Sequence, residues 1–444
     1  MSQENTSISE GANPRPLNRR DYKTLSLAAL GGALEFYDFI IFVFLAAVIS
    51  QHFFPADIPD WLRQLQTYGI FAAGYLARPL GGIVMAHFGD LFGRKKMFNL
   101  SILLMAFPTL FMGLLPTYES IGLMAPIGLL ILRILQGAAI GGEVPGAWVF
   151  VSEHVPSRRV GYACGSLTAG LTAGILIGSL VATALNTFVS QEDILAWGWR
   201  IPFLLGGAFG FIAMMLRRWL EETPIFAEMK AKKQLVEGLP LKQVLGNAKA
   251  EVTLSMLLTW LLSAAIVVVI LMTPTYLQKQ LGISPTTALQ ANSLAIVALT
   301  IGAIFWGWLN DQINAGITFI IGSIGLAVTS YVFYHGVWAD PSRLMLLYPL
   351  VGFFVGVVGA VPFVMVKAFP PAIRFSGLSF SYNLSYAIFG GLTPMMVALW
   401  LKNEPMAPCY YVIALCVIGF GCGCWIWMQS RAGEQNDEKV AAAG

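Results

Sequence analysis

The sequence predicts an all-α membrane protein with twelve transmembrane helices in two pseudo-symmetric six-helix bundles. Three observations carry that reading. Of 444 residues, 57% are hydrophobic and only 11% charged, against roughly 25% charged in an average soluble protein. Twelve runs are apolar and long enough to span a bilayer, which takes about 20 residues because lipid offers backbone N–H and C=O groups no partner outside their own helix. Lys and Arg also gather on one side of those runs. So little charge excludes a disordered chain, and a net charge of +3 without an extended basic tract argues against a nucleic-acid partner.

Taken in order, residues 1–23 are polar and include Pro14, Arg15, Pro16, Arg19 and Arg20; they predict a cytoplasmic tail, since a signal peptide needs an apolar core here. Runs at 24–50, 66–88, 97–115, 121–150, 162–188 and 199–219 form the first bundle, 24–219. A polar loop, 220–252, follows, and its stretch Pro240–Leu245 has the amphipathic pattern of a segment lying at the membrane surface. Runs at 253–277, 288–310, 316–337, 344–368, 377–400 and 408–428 form the second bundle, 253–428, and the polar, small residues 429–444 predict a disordered cytoplasmic tail. With both termini inside, nineteen of the 27 Lys and Arg residues fall on the cytoplasmic side; Arg63, Lys279, Arg343 and Lys402 fall outside, and Arg78, Arg133, Arg200 and Lys367 lie within or at the edges of spans. That is a positive-inside distribution, so the expected location is a bacterial cytoplasmic (inner) membrane, spanned many times. Cys164, Cys409, Cys416, Cys422 and Cys424 sit in apolar runs with no His nearby and read as buried small hydrophobes.

The two bundles repeat one another. Ala86-His87-Phe88-Gly89-Asp90-Leu91-Phe92-Gly93-Arg94-Lys95-Lys96 after run two corresponds to Gly307-Trp308-Leu309-Asn310-Asp311-Gln312-Ile313-Asn314-Ala315-Gly316 after run eight, with Asp90 and Asp311 in matching positions. Pro156-Ser157-Arg158-Arg159-Val160-Gly161 likewise echoes Pro371-Ala372-Ile373-Arg374-Phe375-Ser376-Gly377. Duplicated units of this kind build many transporter folds.

The loop after run two resembles the hallmark motif of the major facilitator superfamily, and Leu132-Arg133-Ile134-Leu135-Gln136-Gly137 is similar to its second motif. Glu35-Phe36-Tyr37-Asp38-Phe39, Arg78-Pro79-Leu80-Gly81-Gly82, Gly141-Gly142-Glu143, Trp197-Gly198-Trp199-Arg200, Leu220-Glu221-Glu222-Thr223-Pro224, Tyr382-Asn383 and Phe389-Gly390-Gly391 resemble the metabolite:H+ symporter branch, which carries proline and betaine, citrate, oxoglutarate and shikimate. The resemblance covers residues 24 to 428. It implies a proton-coupled secondary transporter importing a small polar metabolite by alternating access, with the proton gradient as driving force and no cofactor. Its partners would be that small molecule, H+ and the lipid bilayer, with no nucleic acid and no obligate protein partner. Ala86 departs from the motif's opening Gly, Asn314 and Ala315 stand where Gly93 and Arg94 stand, and run five lacks the Gly-Pro pair of drug antiporters. The short tail lacks the heptads of osmosensing carriers. A proton/solute antiporter exporting a drug or metabolite and a non-transporting membrane sensor remain the alternatives. A membrane enzyme lacks any nucleophile–base or metal constellation.

Charged groups at membrane depth are costly and normally face a partner or a cavity. Glu35 and Asp38 lie roughly 16 and 21 Å into run one at ~1.5 Å per residue, on one side of the helix, and Arg133 lies at similar depth in run four. These three, with Glu143, are the candidate proton-coupling residues, a static buried ion pair being the other reading. Arg78, before Pro79, is a candidate for a substrate carboxylate, since a guanidinium fork binds one bidentately; snorkelling to the interface is its alternative. Tyr37, Tyr382, Asn383 and Tyr386 are candidate substrate-orienting groups or packing contacts. The resemblance implies a cytoplasmic gate of Asp90, Arg94, Glu153 and Arg159, with Asp311 as the second-half counterpart lacking an adjacent Arg, so that the latch rests mainly on the first half. No His has metal-ligand spacing and no Walker pattern occurs. The cations in the spans tilt the expected substrate toward an organic acid anion, a mono-, di- or tricarboxylate, over a zwitterion.

Overall fold

The computed structural model describes residues 16–92, 94–219, 240–371 and 373–443; at 64, 86–99, 217, 240–243 and 433–443 it describes the backbone alone. The described residues contain helices and no strand. The first six spanning helices are α1 (Arg19–Phe44), α2 (Asp60–Phe92), α3 (Arg94–Leu114), α4 (Met124–His154), α5 (Val160–Phe188) and α6 (Ile201–Arg217). The second six are α7 (Lys249–Leu281), α8 (Pro285–Gln312), α9 (Ala315–Ala339), α10 (Pro341–Ala368), α11 (374–400) and α12 (Ala407–Ala443). Among the described residues, nine helical stretches are long and apolar enough to cross a membrane unaided. In the other three places, α3 supplies a shorter apolar stretch, Leu100–Leu114, α2 buries an arginine, and α11 changes helical type midway.

Local chemistry sets the ends. Asn18 and Asp21 form a reciprocal capping box that starts α1, and Ser284 with Pro285 at the first turn starts α8. Gly282, at φ 64°, ends α7 in the left-handed conformation that costs glycine nothing. The tail expected to be disordered instead continues α12 as helix to Ala443. Its Ala, Glu and Lys residues are good helix formers, and extending an existing helix avoids the cost of nucleation.

Neighbours repeat with an offset of six. In the first half α1 packs on α5, α2 on α4 and α3 on α6; in the second α7 packs on α11, α8 on α10 and α9 on α12. The halves meet along α5 with α8 and α2 with α11, two pairs that the same offset exchanges. This is the pseudo-symmetry predicted from the repeated loops. Large apolar side chains such as Leu76, Leu80, Phe107, Phe211, Ile301 and Leu346 are exposed on the outside, as lipid permits. By contrast, α1 is buried on all sides from Gly31 to Phe42, which places it at the centre of the molecule. Glycines set the closest approach: a Cβ on Gly137 would overlap the backbone of Gly74, bringing α4 against α2.

Two π-helical segments interrupt the second half, Ala265–Met272 in α7 and Tyr386–Gly390 in α11. Wide turns release backbone carbonyls and recur at functional sites. In α7 those carbonyls are taken up by side chains: Thr273 donates to Val268 (2.9 Å), and the Tyr348 hydroxyl donates to Val269 (2.6 Å).

Candidate substrate and coupling site

The charged residues expected at membrane depth are buried there. Glu35, Asp38, Arg78, Arg133 and Glu143 are each at most 3% exposed. Asp38 and Arg133 do not pair with each other. Arg133 reaches past the carboxylate and donates to the Phe39 carbonyl of α1 at 3.0 Å and to Gln136 Oε1 at 2.5 Å. Gln136 in turn donates to the Asp38 carbonyl (2.9 Å) and to the Thr109 hydroxyl of α3 (2.8 Å). A polar chain therefore runs from α4 through the backbone of α1 to α3. It holds the α1 main chain and leaves its carboxylate to other work.

The Asp38 carboxylate points to α3 and α6. A Cβ on Gly206 would stand 2.5 Å from its Oδ1 and 2.6 Å from Thr109 Cγ2, and one on Gly210 would stand 3.7 Å from its Oδ2. Neither oxygen has a hydrogen-bond partner. Glu143 of α4 accepts a hydrogen bond from Ser101 of α3. Tyr37 donates to the Pro202 carbonyl (2.8 Å) and sets its ring against Phe209 of α6.

Arg78 does not snorkel; it is 1% exposed and turned inward. Its guanidinium carbon lies 4.4 Å from the ring centroid of Tyr386, 5.3 Å from Tyr75, 5.4 Å from Tyr382 and 5.7 Å from Phe39. Arg133 is ringed likewise, 3.9 Å from Phe39, 4.7 Å from Phe42 and 5.0 Å from Phe71. Cation–π contacts of this kind contribute about 2 kcal/mol or more when desolvated. Both arginines keep Nε and Nη2 without a hydrogen-bond acceptor. The sequence reading named Tyr382 and Tyr386 but missed Tyr75, Phe39 and Gln136. The signal was present in spacing: Tyr75 and Gln136 each stand three residues from an arginine, on the same helix face. Asn383 is a tie between halves, donating to the Gly141 carbonyl of α4 at 2.6 Å and to the Ser379 carbonyl at 2.8 Å.

A cavity of about 270 Å³ opens toward the face opposite the basic loops, walled by Val43 and Phe71 from the first half and by Leu271, Tyr276, Pro394 and Lys402 from the second. Phe71 joins the cavity to the Arg133 ring set. The basic face is held together. Arg374 of α11 stands 3.6 Å from Glu153 of α4. Asp311, at the end of α8, accepts hydrogen bonds from the backbone N–H groups of Gly161 and Tyr162, both 2.8 Å, at the first turn of α5. With no Arg adjacent in sequence, Asp311 binds unpaired amides and the positive end of a helix dipole, a contact the second half contributes to this face. Asp90 and Arg94 lie outside the described side chains. Arg159 is half-buried at the same turn as Gly161.

The cations behind the organic-anion expectation are largely accounted for by the protein itself. Arg200 donates to the carbonyls of Gly113 (2.8 Å) and Leu115 (2.9 Å), Lys367 is exposed at the end of α10, and Arg78 and Arg133 sit among rings. Two bundles that jointly wall a cavity, with buried ionisable groups between them, define a multi-pass membrane transporter and not an enzyme.

The chain belongs to the major facilitator superfamily, whose family model matches residues 28–394. It is 34% identical over 437 residues to the glycine betaine/proline/ectoine/pipecolic acid transporter OusA of Dickeya dadantii, covering 95% of this chain and 86% of that one. It is 33% identical over 429 residues to the proline/betaine transporter of Salmonella typhimurium, covering 89% and 81%. The structure of the proton:xylose symporter XylE superposes with a TM-score of 0.77 at 16% identity, covering 92% of this chain and 95% of that one, which bears on the fold. These relatives are named for zwitterions and not for carboxylic acid anions, and the organic-acid reading is set aside.

Proposed function

We propose that this protein is a proton-coupled symporter that imports a small zwitterion of the proline or betaine kind across a bacterial inner membrane, with the basic face and both termini cytoplasmic. The observation that carries the reading is the inter-half cavity ending at Phe71, whose ring packs both against the buried Arg133 and against Tyr75 beside Arg78, two arginines with unfilled donors that suit a carboxylate, in a chain a third identical to carriers named for proline and betaine. Asp38 is the proposed proton carrier: its carboxyl is enclosed between α1, α3 and α6, and water admitted from either face would let it exchange a proton. Glu35, one helical turn away, and Glu143 are the proposed relay. The contacts of Asp311 and of Glu153 with Arg374 close the basic face, and their release would open it as the halves rock.

The test is uptake of labelled glycine betaine and proline into proteoliposomes. Accumulation should follow an imposed inward proton gradient and collapse with an uncoupler, and citrate should neither enter nor compete. Asp38→Asn should abolish gradient-driven accumulation while counterflow of betaine persists. Uptake indifferent to the gradient would sink the coupling claim, and citrate uptake without betaine uptake would overturn the substrate class.

A further inference from the structure

Resting on the zwitterion reading, we propose that the rings around Arg78 form a cation cage that receives the alkylated ammonium of the substrate, the guanidinium being its resident occupant in the empty carrier. The cage is built from both halves: Phe39 of α1 and Tyr75 of α2 from the first, Tyr382 and Tyr386 of α11 from the second. Tyr75 and Tyr386 stack across the divide with ring centroids 5.5 Å apart and planes 10° from parallel. Trp148 of α4 braces Tyr382 edge-on at 5.1 Å. Among the described residues no carboxylate pairs with Arg78, and four ring faces surround its guanidinium. Aromatic enclosures without a counter-ion recognise charge-diffuse cations, a guanidinium or a methylated ammonium, and discriminate against a strongly hydrated primary ammonium.

The unfilled Nε and Nη2 of Arg78 supply the second half of the recognition. A zwitterion carries both the anion that a guanidinium fork binds and a cation that rings bind. When the substrate carboxylate engages Arg78, the guanidinium leaves the rings and the substrate ammonium takes its place. The cage then holds one positive charge before and after, and the exchange adds no uncompensated charge to the membrane interior. Because Tyr386 lies in the π-helical segment of α11 and Tyr75 in α2, filling the cage also couples substrate to the contact between halves.

The experiment compares glycine betaine with 3,3-dimethylbutanoate, its carbon isostere, which keeps the shape and the carboxylate but lacks the cation. Binding to purified full-length protein is measured by calorimetry, with uptake in parallel. Betaine should bind at least about ten-fold tighter than the isostere. Tyr386→Leu, which removes one ring face, should weaken betaine by about ten-fold and close the gap to the isostere, and Tyr386→Phe, which keeps the ring, should lose less. Size-exclusion profile and thermal unfolding check that each variant is folded. Betaine transport with equal affinity for the isostere, or with a Tyr386→Leu variant of unchanged discrimination, overturns the cage and leaves the zwitterion function standing. Absence of betaine and proline transport altogether overturns both.

Discussion

Replacing Asp311 by alanine should release the basic face. The carboxylate accepts two backbone hydrogen bonds at 2.8 Å from the other half, and bonds to an ionised group contribute about 1.5–3 kcal/mol each. The site is half-buried, so water would replace part of what is lost, and roughly 2 kcal/mol is the working figure for the closed state. At 1.4 kcal/mol per factor of ten, that shifts the balance between closed and open basic faces by about 30-fold. Spin labels on cysteines replacing the exposed Arg158 and Lys249, one in each half, would report it in a background without the native cysteines. The parent should give one short distance and Asp311→Ala a second, longer population. An unchanged distribution in a folded Asp311→Ala variant would refute the latch.

Further outcomes follow from the same geometry. Gly206→Ala places a methyl 2.5 Å from Asp38 Oδ1; gradient-driven accumulation should fall far more than counterflow, and equal loss of both would point to a packing defect instead. Gln136→Leu removes the donor to Asp38 and Thr109 and the acceptor of Arg133, and should lower unfolding stability by about 1–3 kcal/mol in detergent. The double-mutant cycle of Glu153→Gln with Arg374→Gln, read by the spin-label equilibrium, should give a coupling of about 0.5–3 kcal/mol; additive effects would mean the 3.6 Å pair contributes nothing. Arg133→Lys should cut uptake at least ten-fold while the protein stays folded, because an ammonium cannot keep both the Phe39 carbonyl and the stacked rings.

Much of the site was legible because lipid makes charge placement informative. Glu35, Asp38, Arg78, Arg133 and Glu143 stood out as ionisable groups in apolar runs, and all five are buried. Their partners were not legible. Opposite charges at one depth left a static buried ion pair open, yet Arg133 binds the backbone of α1, a group every sequence position offers alike. Tyr37 and Tyr386 looked equivalent in sequence; one bonds a carbonyl of α6 and the other covers a guanidinium. Asp311 read as a weakened copy of Asp90 for want of an arginine, while its ligands are amides 150 residues away in sequence.

The sequence by itself determined the helical class, the number of spans and the basic face, since hydropathy and charge are properties of each segment and lipid selects on them segment by segment. Its repeats determined the six-plus-six plan. Only the tertiary structure decided which half contributes to which contact: that α5 is capped from α8, that the rings around Arg78 come from both bundles, and that the Asp38 carboxylate has no donor. Those facts depend on helix rotation and register. A rotation of the helix turns a side chain from a neighbour to a cavity, and packing against the surrounding helices fixes that angle.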